Sequence, residues 1–517
     1  MIRGLVIFKV ILRKVSAAAM AVIFTMAVLA AGFLFAGCSR GSSPSGAAST
    51  LGPDFFNAEI KGEITVSAYD SMTYRNYLEE AAELFETRFP DIKVKIETFS
   101  AMPEIRTSEQ GNIRVMNVQS QNDPQGRSDY LSRVNTNMMS NTGADVYAMD
   151  ILPLQKFSVN GNLENLNPYM ETDPGFDKTD YRQNILDALR YHNGTWFLPL
   201  DYTFNYYAYD TTLIPAETAL NFGPDKAWNS DELFKIGMPL YTGTCKLFNT
   251  MDYVQRPAGM AGMFSQLLGE NIKSFVNLET KTANFTDGKF SGLLESVKRY
   301  GEEGYIPRGV TGQQNAGEFM QRAASVPTDR FFFKLNSNFS LVSRFSRGSG
   351  RIIRMEAGGA PGIEEDDEIA GIEAIAGGLI PFRYNQGYGI NAQSKNKAAA
   401  WAFLKFLLAE EMSLSTGLNA MGLPLNNKAR EEKAELIFSG AFMGLSGAPL
   451  NAQQRQGLEN YKNAAEKLSD SINTFVIQDT SVNDMIAAEV QYFFSNSRTA
   501  EEVARVLQNK VDLYLNE

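Results

Sequence analysis

Histidine is almost missing from this chain: 517 residues contain one, His192. A serine–histidine–acid relay would have to use it, and no Gly-x-Ser-x-Gly elbow occurs anywhere. His192 lies in Tyr-His-Asn-Gly, the composition of a solvated turn. Cysteine is nearly as scarce, with only Cys38 and Cys245, so one histidine and two thiols cannot assemble a zinc cluster. No Gly-x4-Gly-Lys-Ser/Thr loop is present, which excludes a P-loop ATPase. The densest acidic run, EEDDE at 364–368, lacks the spaced ligands and glycine turn of an EF-hand and reads as a solvated loop. No cofactor or metal is expected.

The amino terminus is informative. Arg3, Lys9, Arg13 and Lys14 precede a stretch without charge from Val15 to Gly37. A basic start, an apolar run and small residues at its end form a secretory signal over 1–37, an uncleaved anchor being the other reading of so long a run. Ala36-Gly37-Cys38 resembles the bacterial lipobox, with Phe35 where leucine is usual. The resemblance implies that Cys38 becomes the lipidated first residue of an exported chain. Residues 38–56 are rich in Ser, Gly, Ala and Pro and read as a flexible tether from that membrane anchor. A mature lipoprotein would then have no intrachain disulfide, because Cys245 stands alone.

Roughly 460 residues remain, enough for two or three domains. The chain carries 48 basic and 59 acidic side chains, and loss of the leader makes it more acidic still. That balance disfavours nucleic acid and anionic lipid surfaces as partners.

Ile64, Val66 and Ala68 alternate as in a half-buried strand. Leu78, Ala82, Phe85 and Phe89 follow at helical spacing up to Pro90, and Ile92, Val94 and Ile96 alternate again. Strand, helix and strand at this spacing form a βαβ unit and imply a parallel sheet flanked by helices. Residues 101–127 read as a long loop, followed by a helix over 129–140 and a short strand ending at Asp150. An aromatic-rich strand region spans 193–210, broken by Pro199. Further helices fall near 287–303 and 398–412, and a strand near 378–392. The tail reads as two helices, the second capped by Thr499 with Glu502 three residues on. No internal repeat is present.

These pieces resemble, in this order, the extracellular solute-binding proteins of ABC importers, the family that includes maltose-binding protein. The carrying segments are ITVSAYD, RFPDIKVKIETF, GADVYAMD, GNLENLNPYMETD, HNGTWFLPLDYTFNYYAYDTTLI and QGYGINAQSKNKAAAWAFLKFLLAEEM, with GLPLNNKA after it. Together they cover most of 60–430, and 305–375 matches poorly. The resemblance implies a two-lobed α/β fold of periplasmic-binding-protein type II, each lobe a mostly parallel sheet flanked by helices and hinged by crossing strands. Lobe 1 would be 57–203 plus 385–440, and lobe 2 would be 204–384 plus 441–517. It further implies a monomeric, non-enzymatic receptor, lipid-anchored outside the cell membrane, that delivers a small solute to ABC permease subunits.

Ligands of open α/β sheets sit beyond the carboxyl ends of strands, which points to Tyr69, Asp70 and Asp150. Sugars suit such a set, since their C–H faces stack on rings and their hydroxyls need acceptors. Tyr202, Asn205 and Tyr206 fall at the proposed first crossing, and Tyr384 and Tyr388 flank the second. Trp196 and Trp401 read as core, and Trp228 as the structural start of a helix. An oligosaccharide is the expected cargo. Two other classes remain open: an exported carbohydrate-active hydrolase or lyase using a carboxylate pair, and an adhesin-type surface lipoprotein. A β/α barrel repeat would favour the first, and an exposed apolar patch the second.

Overall fold

Alternating burial of Ile64, Val66 and Ala68 gives β1 (Gly62–Tyr69) one face for a core, and α1 (Met72–Arg88) covers it with Leu78, Ala82 and Phe85. The structure is a computed structural model. It describes residues 55, 60–69, 72–99, 124–249, 259–307, 330–338, 340–345, 366–415, 422–439, 449–476 and 479–516. The leader, Cys38 and almost all of the tether lie outside the described residues, as does Asp70. Residues 50–517 form one compact unit.

The chain continues through β2 (Ile92–Phe99), α2 (Pro124–Met139), β3 (Val146–Ala148), α3 (Leu154–Val159), α4 (Gln183–Ala188), β4 (Leu198–Pro199) and β5 (Asn205–Asp210). Next come β6 (Ala227–Trp228), α5 (Ser230–Gly237), β7 (Lys246–Asn249), α6 (Gly259–Phe275), α7 (Lys289–Glu302), β8 (Phe331–Ser337), α8 (Ser340–Phe345) and β9 (Asp367–Glu373). The last elements used below are β10 (Gly387–Ile390), α9 (Lys397–Leu407), α10 (Asn427–Phe438), α11 (Ala452–Asp470), α12 (Thr480–Phe494) and α13 (Ala500–Asn516).

Two five-stranded sheets organise these elements, ordered β2-β1-β3-β10-β4 and β6-β9-β5-β8-β7. The fold is therefore two-lobed α/β. Both sheets are mixed rather than mostly parallel. In the first, β1 runs parallel to β2 and β3, whereas β10 is antiparallel to β3 and β4. The reason is the route of the chain. β10 starts where β3 ends, with the Met149 N–H donating to the Gly387 carbonyl at 2.9 Å, so it must run the opposite way. In the second sheet β5 likewise starts at Asn205, opposite the end of β8 at Ser337.

Three passages of chain join the lobes, and they lie side by side. The first is 199–205, the second 381–386 and the third 474–476. Thr203 and Arg383 exchange both backbone hydrogen bonds, at 2.7 and 2.8 Å, and Pro381–Phe382 pairs in parallel with Thr474–Phe475.

One apolar cluster belongs to the second lobe alone and holds Tyr207, Phe248, Phe333, Val490 and Leu507. The other fills the first lobe and continues past the hinge through Phe204 and Phe382 onto the far face of the second sheet, at Tyr206, Ala208 and Ile372. Helix α11 packs into this shared cluster with Leu458, Tyr461 and Leu468.

Local signals held well. Thr499 and Glu502 make both bonds of a capping box, at 2.9 and 3.2 Å, opening α13. Trp401 is buried, with its indole N–H donating to Asp173 at 2.7 Å. Trp228 precedes α5, which Asn229 and Glu232 cap reciprocally. His192 is an exposed turn residue with φ 47°. The strand expected over 378–392 is interrupted at the hinge and forms two pieces, 381–382 and 387–390. Among the described residues no helix is long and apolar enough to cross a membrane.

Candidate functional site

The carboxyl ends of β1, β2 and β3 lie along one edge because the three strands are parallel and in register, Tyr69 opposite Phe99. Tyr69, Phe99 and Tyr130 form a ring cluster there, with centroids 5.7 to 6.5 Å apart. Two residues beyond β3 stands Asp150, half-buried, whose Oδ1 is enclosed and has no hydrogen-bond partner. Burial pushes its carboxyl up to about 7, opposed only in part by backbone N–H groups, its own and that of Ile151. Tyr384 closes the other side: its hydroxyl donates to the Met149 carbonyl at 2.7 Å, and its ring lies between Phe197 and Phe475, at 4.9 and 5.7 Å. The negative charge of Asp150 helps hold the Tyr130 and Tyr384 hydroxyls neutral. Tyr69, Asp150 and Tyr384 are thus brought to one edge, where rings flank an enclosed acceptor that lacks a donor.

The other expected residues are placed differently. Tyr202, Tyr206 and Tyr388 have no exposed surface. The sequence reading assumed that one face of the 205–210 strand would line the cleft. Instead β5 is the central strand of a sheet covered on both faces: Tyr206 and Ala208 enter the shared cluster, Tyr207 and Tyr209 the second-lobe cluster. Tyr388 lies between β3 and β4, its hydroxyl 3.3 Å from the Gln386 side-chain oxygen. Asn205 is half-buried and serves the hinge, its amide donating to Glu373 at 3.0 Å. Glu373 in turn accepts from Arg383 of the second passage at 2.9 Å.

Two buried acids at the joint escaped sequence reading. Asp201 accepts from the Asn385 backbone and side chain, with Lys433 near enough to favour its charge, while burial pushes its carboxyl up. Glu270 on α6 accepts from Tyr207 at 2.7 Å and from the Ser230 backbone at 3.0 Å, and burial pushes it up to about 7. Both sit in otherwise unremarkable patterns, an acid after Pro-Leu and an acid on an amphipathic helix. Only their enclosure marks them.

The lobes also touch directly. Arg127 of α2 pairs with Asp484 of α12 at 3.1 Å. The Gln155 amide of α3 donates to Asp479, and the Lys156 ammonium lies 3.8 Å from the ring centroid of Tyr514. Beside these contacts is a cavity of about 670 Å³, bounded by Ala188–Tyr191 of the first lobe, Arg383 and Thr474–Val476 of the hinge, and α6 and α12 of the second. None of the seven expected ligand residues that are described lines it. Among the described residues no group of His, Cys, Asp and Glu could hold a metal ion.

No protein-family model matches this chain, and no curated protein matches it. Solved structures similar to it are two-lobed binding proteins. One is the ABC substrate-binding protein Lmo0181 from Listeria monocytogenes in complex with cycloalternan, 16% identical, covering 88% of this chain and 99% of that one, with TM-score 0.48. A family 1 extracellular solute-binding protein from Alicyclobacillus acidocaldarius is 14% identical over 89% of this chain and 100% of that one, TM-score 0.49. The maltose/maltodextrin-binding domain MalE from Bdellovibrio bacteriovorus, bound to maltotriose, is 15% identical over 88% of this chain and 100% of that one, TM-score 0.46.

Proposed function

We propose that this protein is the solute-capturing component of an ABC importer, lipid-anchored through Cys38 and acting outside the cell membrane without enzymatic turnover. Its solute is a hydroxyl-rich molecule, an oligosaccharide, taken up at the edge where Tyr69, Asp150 and Tyr384 meet. The observation that carries the reading is the enclosed Asp150 Oδ1 without a donor, set among aromatic rings. A sugar hydroxyl would supply the missing hydrogen bond, and its C–H face would lie on Tyr69. Asp70 follows Tyr69 directly and is proposed to join this set.

Capture works by population shift. A solute that touches both lobes only when they are together favours that arrangement, and the permease subunits then read the closed shape. The three side-by-side passages allow such movement while keeping the lobes in register. The shared apolar cluster limits it, because opening must leave the contacts at Phe204 and Phe382 intact.

The test is titration calorimetry of the purified chain against maltose, maltotriose and longer glucans, with product analysis of the same samples. Binding without cleavage supports the receptor. Cleaved saccharide in those samples would overturn it in favour of a hydrolase or lyase.

A further inference from the structure

The charge of Asp150 is unanswered. Its Oδ1 is enclosed without a hydrogen-bond partner, and among the described residues no lysine or arginine pairs with the carboxylate. Three tyrosine hydroxyls feel that charge, those of Tyr130, Tyr384 and Tyr388. Each is committed elsewhere: Tyr130 to the Ser67 hydroxyl at 3.2 Å, Tyr384 to the Met149 carbonyl at 2.7 Å and Tyr388 to the Gln386 side chain at 3.3 Å. The backbone N–H groups of Asp150 and Ile151 favour the carboxylate but bring no net charge to it.

An occupant here faces two demands. A sugar hydroxyl meets the first, the missing hydrogen bond, yet leaves a carboxyl that burial drives toward its protonated form. A primary ammonium meets both, with three N–H donors and a positive charge that favours the ionised acid. The surroundings suit a cation too. Aromatic faces attract positive charge within about 6 Å of the ring centroid. Tyr69, Phe99 and Tyr130 stand together at the same strand ends, with centroids 5.7 to 6.5 Å apart, and Tyr69 and Phe99 keep accessible surface. Arg133 already uses one of these rings, its guanidinium carbon 5.8 Å from the Phe99 centroid. With 59 acidic against 48 basic side chains, the chain as a whole also attracts cations.

We propose that the captured solute is an amino-saccharide, its ammonium paired with Asp150 and its sugar body against Tyr69 and Phe99. This rests on the receptor reading above and narrows it: an ammonium takes the place of a hydroxyl at Asp150. The discrimination is by charge rather than shape, since an amine and a hydroxyl fill nearly the same volume. A neutral sugar of the same outline therefore binds, but more weakly.

The probes are three β-1,4-linked trisaccharides. They are the glucosamine trimer, cellotriose with hydroxyls in place of the amines, and tri-N-acetylchitotriose, which keeps the nitrogens without their charge. In titration calorimetry of the full chain at pH 7, the glucosamine trimer should bind about tenfold more tightly than either neutral trimer. Asp150→Asn keeps the outline and removes the charge, so it should bring the glucosamine trimer to the affinity of cellotriose. Circular dichroism and melting curves report whether that variant is folded, and if it is not, the parent's ranking of the three trimers decides. A parent that binds all three alike, or prefers a neutral trimer or maltotriose, overturns the proposal while leaving the saccharide receptor standing. A folded Asp150→Asn that keeps the amine preference overturns it as well. A chain that binds none of these saccharides, maltotriose included, loses both readings.

Discussion

Asp201 and Asn385 stand on different passages of the hinge and are joined twice: the Asn385 backbone N–H donates to Oδ1 at 2.9 Å and its side-chain amide to Oδ2 at 2.7 Å. The carboxylate therefore holds the first passage against the second. It also offsets part of the cost of burying the Lys433 ammonium, which enclosure pushes down to about 8.

Removing that carboxylate should be severe. Asp201→Ala leaves three donors unmatched, two of Asn385 and the Gln386 backbone N–H, and Lys433 without its counter-charge, an expected loss of about 3–5 kcal/mol in unfolding free energy. Gly422→Ala should be comparably damaging for a steric reason, because an added Cβ would collide with the Asp201 carboxylate. Urea denaturation of both variants checks this, and midpoints close to the parent's would refute the hinge assignment.

Glu270 gives a pH dependence whose sign is fixed. Folded, it keeps its proton up to about pH 7, while unfolded it loses it near its ordinary 4.5. Between those values the folded chain binds more protons, so its contribution to stability is lost as pH rises through about 7. A shift of this size corresponds to about 3 kcal/mol. Glu270→Gln should flatten the difference in denaturation midpoint between pH 5 and pH 7.5, and an unchanged slope would show that Glu270 ionises normally.

Solute binding should follow Asp150 in the opposite sense. A hydroxyl donating to Oδ1 favours the ionised carboxylate, which forms above about 7. Saccharide affinity is therefore expected to fall about tenfold from pH 8 to pH 6, and the fall should vanish in Asp150→Asn, whose affinity is low throughout. Tyr69→Ala should weaken binding at every pH by about tenfold, through lost stacking. Calorimetry across this pH range separates the two effects.

The interlobe contacts differ in weight. Arg127–Asp484 is a surface pair, with the aspartate side chain 53% exposed, and such pairs contribute about 1 kcal/mol or less. Arg127→Ala alone should leave the solution radius of gyration unchanged. Asp479 is buried and accepts from both Tyr514 and Gln155, so Gln155→Ala with Tyr514→Phe should shift the unliganded protein toward a more open form. Small-angle scattering of the two variants provides the comparison, and equal radii for both would show that the Asp479 contacts do not hold the lobes together.

Much of the fold was legible because its signals are local. The alternation in 64–68 and the apolar spacing of α1 depend only on backbone period, and the Thr499–Glu502 box on three-residue spacing. The position of Tyr69 and Asp150 along one sheet edge could be read from the rule for strand ends, since parallel strands expose their carboxyl ends together. Tyr202, Tyr206 and Tyr388 could not be placed in the same way. An aromatic-rich strand looks alike whether one face or both are covered, and β5 proved to have both covered.

What the sequence determined by itself is the alternation of strands and helices, because short-range period carries it. Tertiary structure alone decided which tyrosines meet solvent, which acids are trapped at the hinge and where an unmatched carboxylate oxygen remains. Those properties arise where residues far apart in the chain enclose one another, as Asp201 and Asn385 do, and enclosure sets both their hydrogen bonding and their charge.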